Sequence, residues 1–160
     1  MTWIPIAILV ALAMEPWSRV VHKHAWHGPL YKVHASHHEP SGLLEANDVF
    51  AVLHAVPACA MIVYGLEATG LGADLAFGVG IGMTAFGASY ALIHEGLIHE
   101  RFNVSFLLRF RWLARIRAAH RAHHITGEEP YGLFLGPQEL QQRSRRLAER
   151  RSRERAASSI

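Results

Sequence analysis

The chain of 160 residues contains a single cysteine, Cys59, so no disulfide can form within it, and its thiol content does not indicate a compartment. It also contains no flavin or nicotinamide motif. The glycine series Gly78-x-Gly80-x-Gly82 lies in an apolar run and lacks the strand–turn–helix setting that a dinucleotide fingerprint requires. We therefore expect these three glycines, together with Gly87, to permit close packing between helices.

Long apolar runs are present. Val49 to Leu66 is apolar apart from His54, and Leu71 to Ile93 has one acidic residue, Asp74, near its start. A helix needs about 20 residues to cross the hydrocarbon core of a bilayer, so both runs are long enough to span a membrane. A third run, Trp3 to Val21, is weaker because its uninterrupted apolar part is shorter.

The third run could also be a secretory signal peptide. It has no Lys or Arg before it and no small-x-small cleavage site after it, so we expect a membrane helix instead.

The sequence predicts an all-α, polytopic membrane bundle of three helices. Arg101 to Ala119 mixes apolar residues with arginine, which suits an interfacial helix or a fourth, shallow membrane element. The alternative for all these runs is the buried helical core of a soluble protein.

The distribution of charge predicts an orientation. Of the 16 basic residues, only Arg19, Lys23 and Lys32 precede Glu100, and the segment from Glu67 to Asp74 has none. By the positive-inside rule that segment lies outside and the carboxyl-terminal third lies in the cytoplasm. Three spans with an external amino terminus then place every histidine motif on the cytoplasmic side.

Histidine is unusually frequent, and ten of the 12 histidines form one pattern that occurs twice. Each copy has an HxxxxH pair followed by an HxxHH group. Neutral imidazole is a common ligand of iron, copper, zinc and nickel. So many imidazoles in paired clusters predict a site for two metal ions rather than scattered polar side chains. The ten residues are His22, His27, His34, His37, His38, His94, His99, His120, His123 and His124.

The two motifs differ in geometry. The histidines of HxxHH lie on one face of a helix and can converge. Five residues turn about 140° around an α-helix, so His22 and His27 cannot both face one ion unless the helix ends or bends. Gly28-Pro29 would provide such a stop just after the pair. His24 and His54 belong to neither motif, and we interpret them as packing or supporting residues.

The sequence divides into one integral membrane domain, residues 1–137, and a tail, residues 138–160. The tail is rich in arginine with interspersed glutamate, which predicts a solvated or lipid-facing helix. Nucleic-acid binding through the tail is the weaker alternative, and we expect no nucleic-acid partner.

The order and context of these motifs resemble bacterial β-carotene hydroxylases, the carotenoid 3-hydroxylases of the membrane fatty acid hydroxylase superfamily. The histidine spacing is typical of the superfamily, whereas His27-Gly-Pro-Leu and Leu44-Glu-Ala-Asn-Asp48 are similar to the carotenoid enzymes in particular. The resemblance runs from about Met14 to Gly136 and includes Glu15, where the family tends to have a carboxylate. The chain departs from the family at Gly127 to Gly136, where a longer stretch with Cys and Phe is common.

The resemblance implies a non-haem diiron monooxygenase that uses O2 and two electrons to hydroxylate C3 of the β-ionone ring of β-carotene, giving cryptoxanthin and then zeaxanthin. The ten motif histidines would bind two Fe ions, and Glu15 would be a catalytic residue. Trp26, Tyr90 or Phe102 would line the pocket for this lipid substrate. A reduced ferredoxin-like electron donor would dock on the arginines between positions 109 and 121. The protein would lie in the bacterial inner membrane with its active site facing the cytoplasm.

Three carboxylates adjoin motif histidines, and we expect them to orient imidazole rings. They are Glu39, Glu95 and Glu100.

Two other functions fit the same motifs. A related diiron hydroxylase or desaturase could act on a sterol or a fatty acyl chain. A metal-binding membrane transporter is less favoured, because transporters place their ligands near the middle of the bilayer.

Overall fold

The computed structural model describes residues 2–39 and 44–158, and within these ranges the chain is helical, with no β-strand. The predicted all-α fold is confirmed. The helices are α1 (Trp3–Val21), α2 (Tyr31–His38), α3 (Val49–Glu67), α4 (Leu71–Tyr90), α5 (Arg111–Thr126) and α6 (Gly136–Ala157). Two π turns, His22–Trp26 and Ala91–Ile98, continue α1 and α4, and 3-10 turns occupy Ala46–Asp48 and Ser105–Arg109.

Three helical stretches, Trp3–Trp26, Ala46–Glu67 and Leu71–Ile98, are long and apolar enough to cross a membrane. They coincide with the three predicted runs. Only 11%, 11% and 28% of their most apolar windows are buried within the protein, which argues against the buried core of a soluble protein. Large apolar side chains such as Leu9 and Leu53 remain exposed, as expected for a surface that contacts lipid.

Helices α1 and α4 pack side by side and run in the same direction. Thr2 donates a hydrogen bond to Asp74 at one end, and Val10 lies against Gly82 further along. The residues of each pair are 72 positions apart in sequence. The helices are therefore in register over this length.

The same offset of 72 residues separates His22 from His94 and His27 from His99. Because two parallel helices in register advance at the same rise per residue, the two HxxxxH pairs lie at the same end of the bundle. Helix α3 runs in the opposite direction, with Gly80 of α4 against Ala58.

The glycines of α4 allow its neighbours to approach closely. A Cβ at Gly82 would lie 2.5 Å from the carbonyl oxygen of Ala7, and a Cβ at Gly78 or Gly80 would lie 2.7 Å from a backbone oxygen. The predicted packing role is confirmed for these three. It is wrong for Gly87, where a Cβ would meet nothing within 4 Å among the described residues.

The segment from Arg101 to Ala119 is not one helix. It contains the 3-10 turn Ser105–Arg109 and then, from Arg111, the first part of α5. Of the described helices, α5 is not among those that could cross a membrane, so a fourth span is not found. Its buried face packs on the second π turn in a core formed by Ile93, Leu97, Ile98, Val104, Leu113, Ile116 and Leu133.

Helix α6 begins at Gly136, two residues before the predicted start of the tail, and its first turns are part of the folded domain. The buried Glu139 forms an ion pair with Arg19 of α1, with 2.7 Å between Nε and Oε1. After Arg143 the described part of the helix is exposed, in line with the predicted solvated or lipid-facing surface.

Candidate metal centre

The structure brings all ten motif histidines together at one end of the membrane helices. They come from the two π turns with the residue that follows each of them, and from α2 and α5. Six of the ten are buried: His22, His34, His37, His94, His120 and His123.

The π turns explain the HxxxxH spacing. The backbone N–H of His27 donates to the carbonyl of His22 at 2.9 Å, and that of His99 donates to His94 at 3.0 Å. These hydrogen bonds span five residues instead of four, so the side chains of residues five apart are neighbours. The ring centroids are 5.0 Å apart in the first pair and 4.7 Å in the second. The two histidines of each pair can therefore face the same ion although residues five apart on an α-helix point about 140° apart. The cause is a widened turn, and not the predicted stop at Gly28-Pro29.

The histidines form two groups in which one ring nitrogen of each member lies within 4.8 Å of one from every other member. The first group contains His22, His27, His34, His38 and His123, and the second contains His37, His94, His99 and His120. Each HxxHH motif is therefore divided between the groups. His124 belongs to neither by this measure: its Nε2 is 3.0 Å from that of His120, and its ring stacks on His38 at 4.4 Å.

The nitrogens that face one another are Nε2 atoms. The separations are 3.0 Å for His22 and His34, 3.0 Å for His27 and His123, and 3.1 Å for His94 and His120. Two ligands about 2.1 Å from an ion and at a right angle would be about 3 Å apart. The Nε2 atoms of His37 and His99 are buried and have no hydrogen-bond partner among the described residues. The residues present fit a metal ion in each group.

Several of these imidazoles are kept neutral by their surroundings. Burial, together with the neighbouring histidines, lowers the pKa of His27 and His34 to about 4 and that of His99 and His123 to about 3. The pKa of His124 falls to about 2 for the same two reasons. A neutral ring presents a lone pair, which is the form that binds a metal.

The outer nitrogens, Nδ1, face acceptors. A ring that donates from Nδ1 has its lone pair on Nε2, so these contacts set the tautomer that binds metal. The pairs are His22 with the Tyr131 carbonyl at 2.8 Å, His34 with Asn47 Oδ1 at 2.7 Å, His123 with the Glu128 carbonyl at 2.7 Å and His94 with Glu95 Oε1 at 2.6 Å. The Nδ1 of His37 lies 3.4 Å from Glu45 Oε2 without forming a hydrogen bond to it.

Of the three carboxylates expected to orient imidazoles, the structure places only Glu95 at a ring nitrogen. Glu100 pairs with Arg117, and Glu39 is exposed. Sequence reasoning missed Glu45 and Asn47, which precede α3. Their signal was a pair of polar residues just before a membrane helix, a position where polar residues usually begin a helix.

Arg101 was also missed. Its guanidinium lies 2.8 Å from Glu45, 2.9 Å from Asp48 and 3.0 Å from Glu95. Burial lowers the pKa of Arg101, but the contacts with Glu45 and Asp48 raise it by more, so it lies above its ordinary value. One cation thus joins two carboxylates that face histidines of the second group.

Glu15, predicted to be catalytic, is buried in α1 but lies in neither group. Its Oε1 accepts the backbone N–H of Leu135 at 2.9 Å, and its Oε2 has no hydrogen-bond partner in the described part of the chain. Glu139 accepts the N–H of Tyr131 at 3.0 Å. The two carboxylates hold the loop whose Tyr131 carbonyl faces His22.

A small cavity of about 10 Å³ reaches one histidine of each group, His22 and His120. Trp26 and Tyr90 line it, as predicted for a substrate pocket, together with Ser18, Tyr131 and Leu133. Phe102 does not: it lies at a separate hollow of about 300 Å³ beside Gly96 and Val104.

The two remaining histidines lie outside both groups. His24 is exposed. His54 in α3 faces the carbonyl of Phe50 with Nδ1 at 2.8 Å and accepts from Trp17 with Nε2 at 3.4 Å. The contacts of His54 agree with the interpretation of a packing or supporting residue, whereas for His24 that interpretation stays a prediction.

Comparisons with known proteins give a consistent result. The model of the family described as fatty acid hydroxylase matches residues 7–138. "Beta-carotene hydroxylase" of Pseudescherichia vulneris is 39% identical over 126 residues, which cover 78% of this chain and 69% of that protein. "Beta-carotene hydroxylase 2, chloroplastic" of Capsicum annuum is 45% identical and "Beta-carotene 3-hydroxylase 2, chloroplastic" of Arabidopsis thaliana 43% identical, each over 86% of this chain and 46% of the relative. The chain thus spans about half the length of these plant relatives. No solved structure matches it.

The fold and the site define an all-helical protein with three membrane-capable helices and a cluster of histidines that could hold metal. The chain belongs to the fatty acid hydroxylase family, and β-carotene hydroxylases are among its homologues. The resemblance found in the sequence is confirmed.

Proposed function

We propose that this chain is a membrane-bound β-carotene 3-hydroxylase that converts β-carotene into cryptoxanthin and then zeaxanthin, using O2 and two non-haem Fe ions. Its homologues support the substrate, since they bear the name β-carotene hydroxylase. The observation that carries the proposal is the set of inward Nε2 atoms beside a cavity that is lined in part by residues of two membrane-capable helices.

Two groups of histidines would hold the irons, one in each group, with His124 joining the second through its contact with His120. Bound iron would supply the oxidising power to insert one atom of O2 into an unactivated C–H bond, while the other atom leaves as water with two electrons from a donor and two protons from solvent. Zinc has no redox chemistry and would not serve this reaction.

The protein's own residues prepare the site. Burial removes water from the imidazoles and keeps them neutral, so that each Nε2 lone pair is free to bind. The Nδ1 contacts hold each ring in one orientation, which limits the reorganisation that metal binding requires. Asn47 does this for His34, and Glu95 for His94.

The substrate would enter from the bilayer. The cavity beside His22 and His120 holds about one water-sized molecule, so O2 fits it more nearly than a β-ionone ring does. Trp26 and Tyr90 line the cavity, and their side chains would have to move aside to admit the ring. An apolar substrate dissolved in lipid would reach this point without crossing water.

An electron donor would dock on the outer face of α5. At about 100° per residue, Arg111, Arg115 and Arg121 fall on the side of the helix opposite His120 and His123, and all three are exposed. An acidic, ferredoxin-like protein would be attracted to this face. The arginines also support a site on the cytoplasmic side of the bacterial inner membrane, because the positive-inside rule favours basic residues there.

The test is expression in a β-carotene-producing bacterial host with identification of the pigments by chromatography and mass. We expect cryptoxanthin and zeaxanthin from the parent chain and β-carotene alone from His123→Ala. The matched control is His24→Ala, which removes an exposed histidine outside both groups and should retain activity.

Unchanged β-carotene, with the protein present in the membrane and a donor supplied, would contradict the substrate. The same preparation would then be offered a sterol or a fatty acyl lipid, the substrates of the alternative hydroxylase. A metal transporter would bind metal but consume no O2 with any lipid. Its ligands would also lie near the middle of the bilayer, whereas these lie at one end of the helices.

A further inference from the structure

We propose that the two histidine groups hold their metal ions with unequal strength, and that the second group binds more tightly because carboxylates fixed by Arg101 face its outer nitrogens. This inference rests on the proposed dimetal function. It concerns the groups that face the outer Nδ1 atoms of the histidine rings, because these groups differ in charge between the two histidine groups.

Behind the first group the acceptors are neutral. Two are backbone carbonyls, facing His22 and His123, and the third is the side-chain amide of Asn47, facing His34. The side chain of Glu128 does not add charge here, because it turns outward and pairs with Arg143.

Behind the second group lie two carboxylates, one hydrogen-bonded to its ring and one close to its ring without a hydrogen bond. Glu95 Oε1 is 2.6 Å from Nδ1 of His94, and Glu45 Oε2 is 3.4 Å from Nδ1 of His37. The side chain of Glu45 is only 2% exposed, so water screens its charge little.

Arg101 keeps these carboxylates in place. Its guanidinium contacts Glu45, Glu95 and Asp48 at 2.8 to 3.0 Å, so one positive charge faces three negative ones. The cluster retains a net negative charge beside the second group. Arg101 also joins the segment before α3 to the second π turn, which sets the positions of His37 and His94 relative to each other.

The charge has a direct effect on the ligands. A ring that donates its Nδ1 proton to a carboxylate becomes a more basic ligand at Nε2 than a ring that donates to an amide or a carbonyl. A net negative charge near a divalent cation also favours its binding. Loss of such an outer partner typically lowers metal affinity about 10- to 100-fold.

The test uses the full chain purified in detergent and loaded anaerobically with Fe²⁺. Release of iron to a coloured chelator should occur in two phases of one iron per chain each. Glu95→Gln and Glu45→Gln retain an acceptor oxygen but remove the charge, and each should speed the slow phase about tenfold or more while leaving the fast phase unchanged. The matched variant Asn47→Asp adds a charge behind His34 of the first group and should slow the fast phase.

Mössbauer spectra of the ⁵⁷Fe-loaded protein provide a second measurement. Glu95→Gln should shift the signal of one of the two irons, whereas Asn47→Asp should shift the other. Release of both irons in a single phase, or equal acceleration of both phases by Glu95→Gln, would overturn the inference. Two-phase release from a protein that makes no hydroxylated carotenoid would support the inference and contradict the proposed substrate, so the two failures are distinguishable.

Discussion

The backbone N–H of His99 donates to the carbonyl oxygen of His94, five residues earlier, at 3.0 Å, and the two rings thereby come within 4.7 Å of each other. The same bond joins His27 to His22. A π turn is an α-helical turn with one extra residue, and the helix beyond it keeps the register it would have without that residue. Insertion and deletion within the turn should therefore have opposite effects.

Deleting His24 should preserve the site. The pair then becomes HxxxH, and residues four apart share a face of an ordinary α-helix. Inserting one alanine after His24 instead turns His27 about 100° away from His22. We expect about two irons per chain after the deletion and about one after the insertion, measured by elemental analysis of purified protein. His24→Ala is the control, and equal iron contents for the deletion and the insertion would contradict the role of the π turn.

The glycines of α4 offer a matched pair of substitutions. At Gly82 an added Cβ would lie 2.5 Å from the backbone of α1, whereas at Gly87 it would meet nothing within 4 Å. Gly82→Ala should destabilise the protein by about 1–3 kcal/mol through overpacking. Gly87→Ala should be neutral or stabilise it by up to about 1 kcal/mol, because alanine favours helix.

The measurement is the apparent melting temperature of the detergent-solubilised protein, followed by tryptophan fluorescence. Trp3 packs edge-on against Phe77 at 5.2 Å, so it reports directly on the contact between α1 and α4. Equal melting temperatures for the two variants would show that the close approach of these helices does not limit stability.

Two substitutions at Glu15 distinguish a role of this residue in folding from a role in hydroxylase activity. Gln at this position can still accept the N–H of Leu135, so Glu15→Gln should reach the membrane in nearly normal amounts. We expect its hydroxylase activity to fall by more than its abundance, because Gln removes the ionisable carboxyl group from this buried position. Glu15→Ala removes the acceptor as well and should lower both quantities.

The measurements are the hydroxylase activity and the abundance by immunoblot of each variant in the same membranes. Equal loss of activity and abundance in Glu15→Gln would assign Glu15 to folding alone. The structure already gives that reading some support, since Glu15 contacts a loop and belongs to neither histidine group.

The membrane helices and the histidine cluster could be predicted because each depends on a local pattern. Val49 to Leu66 is apolar enough to predict a span by itself, and the HxxHH spacing indicates one helical face. The division of His37 from His34 and His38 could not be predicted, because it depends on where a separate helix, α5, presents His120 and His123.

The residues that contact the outer side of the histidine rings were harder to predict, because most of them are distant from the histidines in sequence. Arg101 and Glu45 are 56 positions apart in sequence and meet only when α3 and α4 are packed, so no local spacing relates them. Glu95 was predicted because it adjoins His94, whereas Glu100 adjoins His99 and turns away to Arg117. Adjacency in sequence places a side chain near a ligand but does not fix its direction.

The pairing of Arg117 with Glu100 decides which arginines of α5 can be used to test donor docking. Arg117 is engaged with a partner and its side chain is only 18% exposed, so reversing its charge would disturb the fold as well as the surface. Arg115 and Arg121 are exposed on the outer face of α5 and are better probes. The double variant Arg115→Glu, Arg121→Glu should slow association with an acidic donor.

We expect the apparent KM for a reduced ferredoxin-like donor to rise about tenfold or more in this double variant at low ionic strength, with the iron content unchanged. The difference from the parent should shrink as salt is added, because salt screens charges that are exposed to solvent. The matched control reverses Arg151 and Arg153, two exposed arginines near the end of α6 that lie far along the chain from the histidines. If both double variants raised the KM equally, attraction to the overall positive charge of the carboxyl-terminal third, and not a docking face on α5, would account for the effect.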